Sequence, residues 1–138
     1  MAAKIKAELP CPVAVTEMFA KDLDCPVFLS PTPLHQPMDT YLTPWKDREI
    51  WLEAALCQEE ITVTEKGLKK HTIFPTEQLS GGFYDEELRC CYHTEVSDDA
   101  IRFTLFDTPE SLTRKLELAH ALGVRRAVGL YQELGTVL

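Results

Sequence analysis

Positive charge is scarce in this sequence. Lys and Arg supply 14 charges against 22 from Asp and Glu, which leaves a net charge of −8. A polyanion binder neutralises phosphates with Lys and Arg, so an acidic chain with no basic tract is not expected to bind nucleic acid. Long apolar runs are missing too. None approaches the roughly 20 residues that a membrane-spanning helix needs. The opening stretch, MAAKIKAELP, has no hydrophobic signal core, and the expected location is the cytoplasm. A phosphate-cradling loop is also lacking, because Gly81-Gly82 has no Lys-Ser/Thr and no helix start after it. Nothing in the residues calls for a cofactor. With 138 residues the chain falls short of the roughly 250 that a complete (β/α)8 barrel takes. Its 45% hydrophobic content suits one domain over residues 1–138.

Five cysteines are present: Cys11, Cys25, Cys57, Cys90 and Cys91. An odd number scattered through a chain without a secretion signal reads as reduced, mostly buried thiols. Cys90, Cys91 and His93 offer metal-ligand chemistry, yet no second well-spaced pair completes a structural zinc site. In a strand, Cys91 and His93 share a face and Cys90 points away, which favours ordinary packing.

Residues 13–23 are expected to form a short helix, with Val15, Met18, Phe19 and Leu23 at helical spacing. Pro26 to Leu29 reads as a short buried strand. The segment 30–47 holds Pro31, Pro33, Pro37 and Pro44 and is expected to be an extended connection, with Tyr41 and Trp45 pinning it to the core. A buried strand within Ile50 to Leu56 follows. A hairpin is predicted over 60–74, turning at Gly67, and a second over 89–107, turning at Ser97 to Ala100. In the later strand Ile101, Phe103 and Leu105 share the face expected to meet the core. Thr108-Pro109-Glu110 then opens a helix that Gly123 stops. Strand 101–107, helix 109–122 and strand 126–131 read as a βαβ unit with its strands parallel in one sheet. The fold class is therefore α/β or α+β: a mixed sheet of about five or six strands and two main helices, like a fragment of a TIM barrel.

The run Phe83-Tyr84-Asp85-Glu86-Glu87, the strand Phe103 to Phe106, and Asp107-Thr108-Pro109-Glu110-Ser111-Leu112-Thr113-Arg114-Lys115 are familiar in combination. With the turn at Leu122-Gly123-Val124, they make residues 82–134 resemble the end of the family 18 glycoside hydrolases, the chitinase and spore-cortex-hydrolase type. The family's catalytic signature, Asp-x-x-Asp-x-Asp-x-Glu, is absent. Asp85-Glu86-Glu87 and Asp98-Asp99 lack its spacing. Where the family carries a Trp on the final barrel strand, this chain has Leu130 and Tyr131. The resemblance implies a surviving or detached C-terminal piece of such a barrel, not a working hydrolase of that type.

Glycoside hydrolysis needs two carboxyl groups about 5–10 Å apart, one of them kept protonated. Glu53 interrupts an apolar strand, Asp107 ends one and Glu133 follows another, so these acids are the candidates, with Tyr131 as a stacking surface. Ligands in α/β folds gather at strand C-termini. The leading expectation is nonetheless a non-catalytic binding or assembly module. A barrel piece that cannot close leaves edges and apolar faces to be covered by the Pro-rich segment or by self-association into a homo-oligomer. A glycan-binding or glycan-cleaving protein using Glu53, Asp107 and Tyr131 is the alternative. A metal-binding protein using Cys90, Cys91 and His93 is the third.

Overall fold

The computed structural model describes residues 13–21, 23–73 and 78–129. In chain order these residues form β1 (Val15–Thr16), α1 (Glu17–Ala20), β2 (Val27–Leu29), α2 (Met38–Leu42), a 3-10 turn (Thr43–Trp45) and β3 (Ile50–Glu53). Then come β4 (Gln58–Thr64), β5 (Gly67–Ile73), β6 (Phe83–Asp85), β7 (Cys90–Val96), β8 (Ala100–Phe106), α3 (Pro109–Ala121) and β9 (Arg126–Val128).

The class is α/β, but the strands divide between two sheets instead of sharing one. A parallel sheet runs β1-β2-β3-β9, and an antiparallel sheet runs β5-β4-β8-β7-β6. This corrects the expected βαβ unit. Its strand, helix and strand all form, yet β8 pairs with β4 and β7 while β9 pairs in parallel with β3. Helix α3 therefore carries the chain from one sheet to the other.

Local chemistry explains the elements. Gly67 turns the β4–β5 hairpin at φ +127°, where a side chain is strained. Thr108 caps α3: its hydroxyl accepts the Ser111 N–H at 3.1 Å, and the Ser111 hydroxyl accepts the Thr108 N–H at 2.8 Å. At the other end Gly123 N–H donates to the His120 carbonyl at 3.1 Å and Val124 N–H to the Ala119 carbonyl at 2.9 Å. Those two bonds make a Schellman cap, closed by contact of buried Val124 and Ala119 within the same apolar cluster.

Three local expectations need correction. Among the described residues of the predicted 13–23 helix only Glu17–Ala20 are helical, and Met18 and Phe19 are exposed, because Val15 and Thr16 pair with β2 instead. The Pro-rich segment is not extended throughout. Pro37 stands at the N-cap of α2 and Pro44 in the first turn of the 3-10 helix, places where a missing N–H costs nothing. The Ile101–Phe103–Leu105 face is buried only at Leu105, and Ile101 is exposed.

Two apolar clusters hold the chain. One packs the parallel strands through Val27, Leu29, Ile50 and Leu52 against Met38 and Leu42 of α2 and Ala119 of α3, with Tyr41 and Trp45 alongside. The Arg48 guanidinium donates to the carbonyls of Ala20, Leu23 and Cys25, tying the β1–β2 connection to the segment before β3. The other cluster centres on Leu34, Cys90 and Leu105. Leu34 lies in the Pro-rich segment and is fully buried on the antiparallel sheet, so this segment does cover that sheet at one end. Glu59 of β4 fixes it there, accepting the Leu34 N–H at 2.9 Å and contacting His35 Nδ1 at 2.7 Å.

Candidate functional site

A cleft of about 270 Å³, part of it open to solvent, lies at the carboxyl ends of the parallel strands β2 and β3. Pro31 and Thr32 follow β2, Glu53 closes β3, Asp107 follows β8, and Leu112, Lys115 and Leu116 face in from α3. This is where open parallel sheets offer room for a ligand.

Asp107 is the best-held side chain in the cleft. Its Oδ1 accepts from Lys115 Nζ at 2.7 Å and from the Ser111 hydroxyl at 3.1 Å, and its Oδ2 accepts the Cys57 N–H at 3.2 Å. The Asp107 N–H in turn donates to the Cys57 carbonyl at 2.9 Å. The side chains of Asp107 and Lys115 are only 2% and 6% exposed. A charge removed from water this fully needs a partner and hydrogen bonds to persist, and each supplies the other. The network joins three segments: the loop after β3, the end of β8 and the first turns of α3.

An ammonium carries three donors, and Lys115 commits one to Asp107 Oδ1. Thr32 Oγ1, on the same cleft, is buried with no hydrogen-bond partner. The free space in the cleft is on the scale of one water molecule or one ligand hydroxyl. Glu53 lines the cleft half-buried and makes no hydrogen bond or ion pair among the described residues. Its charge reaches Tyr41: burial first, then the Glu17 and Glu53 carboxylates, push that phenol up to about 12. The Tyr41 hydroxyl donates to the Ser30 carbonyl at 2.8 Å.

Of the sequence candidates, Glu53 and Asp107 thus share one cleft, whereas Tyr131 and Glu133 lie outside the described residues. Lys115 and Thr32 were missed. A lysine on an amphipathic helix reads as solvated, but Lys115 sits three residues after Leu112 and four before Ala119. That spacing puts it on the buried row, and all three are buried.

Cys90, Cys91 and His93, the residues of the metal reading, do not gather into one cluster. Among the described residues no group of three His, Cys, Asp or Glu side chains could hold an ion. Cys90 is buried against Leu34 and Leu105, while the His93 ring stacks on Phe106 with centroids 5.0 Å apart. Strand alternation places the neighbours on opposite faces of the sheet. Burial pushes the Cys90 thiol up to about 12, although Lys115 pulls the other way, and burial also raises Cys91.

Cys90 and Tyr41 together predict a pH response. Folded, both hold protons that the unfolded chain releases, so the folded state binds more protons. Stability therefore falls as pH rises from about 9 to about 12. Urea midpoints measured from neutral pH upward should decline in that window and be level below it. The decline should be shallower in Cys90→Ala. A midpoint that rises above pH 9 contradicts this account.

Comparison with known proteins leaves the geometry to stand alone: no family model, no curated protein and no solved structure matches the chain. Among the described residues no helix is long and apolar enough to cross a membrane.

Proposed function

We propose that the chain is a non-catalytic binding and assembly module related to the closing part of a family 18 glycoside hydrolase barrel. One observation carries the reading: the acid that shares the cleft with Glu53 is spent on structure. Asp107 is neutralised by Lys115 and hydrogen-bonded at both oxygens. Among the described residues this leaves Glu53 as the cleft's one unpaired carboxylate. General acid catalysis with a second carboxylate as base or nucleophile needs two groups at liberty to exchange protons or bond to the sugar. The buried thiols Cys25 and Cys90 suit a reducing compartment, in line with the cytoplasm.

A second reading, glycan binding, is favoured by the content of the same cleft. The unpaired Thr32 hydroxyl, the Lys115 ammonium and the Glu53 carboxylate line one cleft, and donors and acceptors of this kind are what sugar hydroxyls satisfy. Chito-oligosaccharides of two to six units serve as the probe. Incubation should yield no shorter products, and any binding seen by calorimetry should weaken in Glu53→Gln. Reducing ends released by the wild type and lost in Glu53→Gln would overturn the non-catalytic reading.

A further inference from the structure

The antiparallel sheet is covered at one end and bare at the other. Near Leu34 and Leu105 its face is buried, but toward the hairpin turns the same face ends in a row of cross-strand neighbours: Leu68, Val63, Ile101 and Val96. Three of the four are exposed, and Val96 is 76% exposed. The opposite face at this level is charged. There Arg102 pairs with Glu60 at 3.6 Å and with Glu95 at 3.5 Å. Alternation of apolar and polar residues, clearest along β4 and β8, belongs to a sheet with one face in water and one covered, yet the apolar side of this end has no cover among the described residues.

Charge indicates what fits it. The β4–β5 hairpin is basic at this end, with Lys66, Lys69 and Lys70 against Glu65. The β7–β8 hairpin is acidic, with Glu95, Asp98 and Asp99 against Arg102. The sheet order is β5-β4-β8-β7. A two-fold axis parallel to the strands therefore lays the basic hairpin of one copy over the acidic hairpin of the other, twice. The same rotation sets Leu68 over Val96 and Val63 over Ile101 of the second copy. An isologous contact needs this kind of self-complementary patch, and aligned packing is how sheets meet face to face.

We propose that this face is the contact of a weak homodimer. The inference rests on the assembly part of the proposed function and names its partner, a second copy of the chain. A face of four seven-residue strands spans about 19 by 24 Å. With one end covered, the free part is on the order of 200 Å², far below the roughly 800 Å² per partner of a standard interface. The dimer is therefore reversible and concentration-dependent.

Sedimentation velocity from about 10 μM to about 1 mM should show a monomer–dimer shift. The shift should weaken as salt rises, because the charge contacts are exposed. K66E/K70E and D98K/D99K should each associate at least about tenfold more weakly, since each sets like charges together. Mixed in equal amounts they should form a heterodimer, because both contacts again join opposite signs. Far-UV circular dichroism checks that each variant folds; if one does not, the salt dependence and an Ile101→Ser variant decide. A wild type that stays monomeric overturns the proposal, whether this face then stays bare or takes another occupant. So does a dimer that these substitutions leave unchanged. A monomer that binds chito-oligosaccharide removes this dimer and leaves the binding reading intact.

Discussion

Replacing Lys115 by Met is expected to lower stability by about 3–5 kcal/mol, the cost of leaving a buried charge without its counter-ion. The Asp107 carboxylate stays in place, still accepting from Ser111 and from the Cys57 N–H, but it loses the ammonium 2.7 Å away. Urea unfolding measures the change through the midpoint. The companion variant Lys115→Met/Asp107→Leu should recover part of the loss, because the uncompensated charge is gone. It should remain below wild type by about 0.5–1.5 kcal/mol, since the half-buried Cys57 N–H loses its bond to Asp107 Oδ2. A single-variant loss under about 1 kcal/mol would mean that the two groups do not meet in a dry environment.

Leu34→Ala should cost about 2–5 kcal/mol, the range for a fully buried leucine. The position looks unpromising for such an effect, lying between two prolines in a loop. Its side chain nevertheless fills the space between Cys90 and Leu105, and its N–H is held by Glu59. Leu68→Ala makes the control. That leucine is in a strand but exposed, and its replacement should change stability of the isolated chain by no more than about 0.5 kcal/mol. Equal losses at the two positions would contradict the burial described here.

The two positions also show what the sequence discloses and what it withholds. Local chemistry was legible. Gly67, the Thr108-Pro109 start and the Gly123 stop each need only neighbouring residues to act, and each does what its type predicts. Both hairpins fall close to their predicted limits for the same reason. The division into two sheets was not legible, because strand–helix–strand patterning is the same whether the second strand returns to the first sheet or joins another. Leu34 was hidden because a single leucine among prolines has no periodicity. The helical spacing of Met18 and Phe19 misled, because pairing of Val15 with Val27 claims the preceding backbone. At the cleft, Glu53 and Asp107 stood out as acids at strand ends, and Lys115 could have been found from its place on the buried row of α3, while Thr32 becomes visible only in the fold.

Pairing of β9 with β3 has a bearing on how the chain reaches this state. Each hairpin of the antiparallel sheet closes a short loop. Trp51 meets Arg126, by contrast, only after every strand of the other sheet has intervened, and the guanidinium then settles 4.6 Å above the indole ring. Loop closure makes distant pairings slow and local ones fast. Assembly is thus ordered in time: the hairpins come early, and the parallel sheet waits for α3 to deliver its last strand. The cleft at the carboxyl ends of β2 and β3 is accordingly among the last parts to take shape.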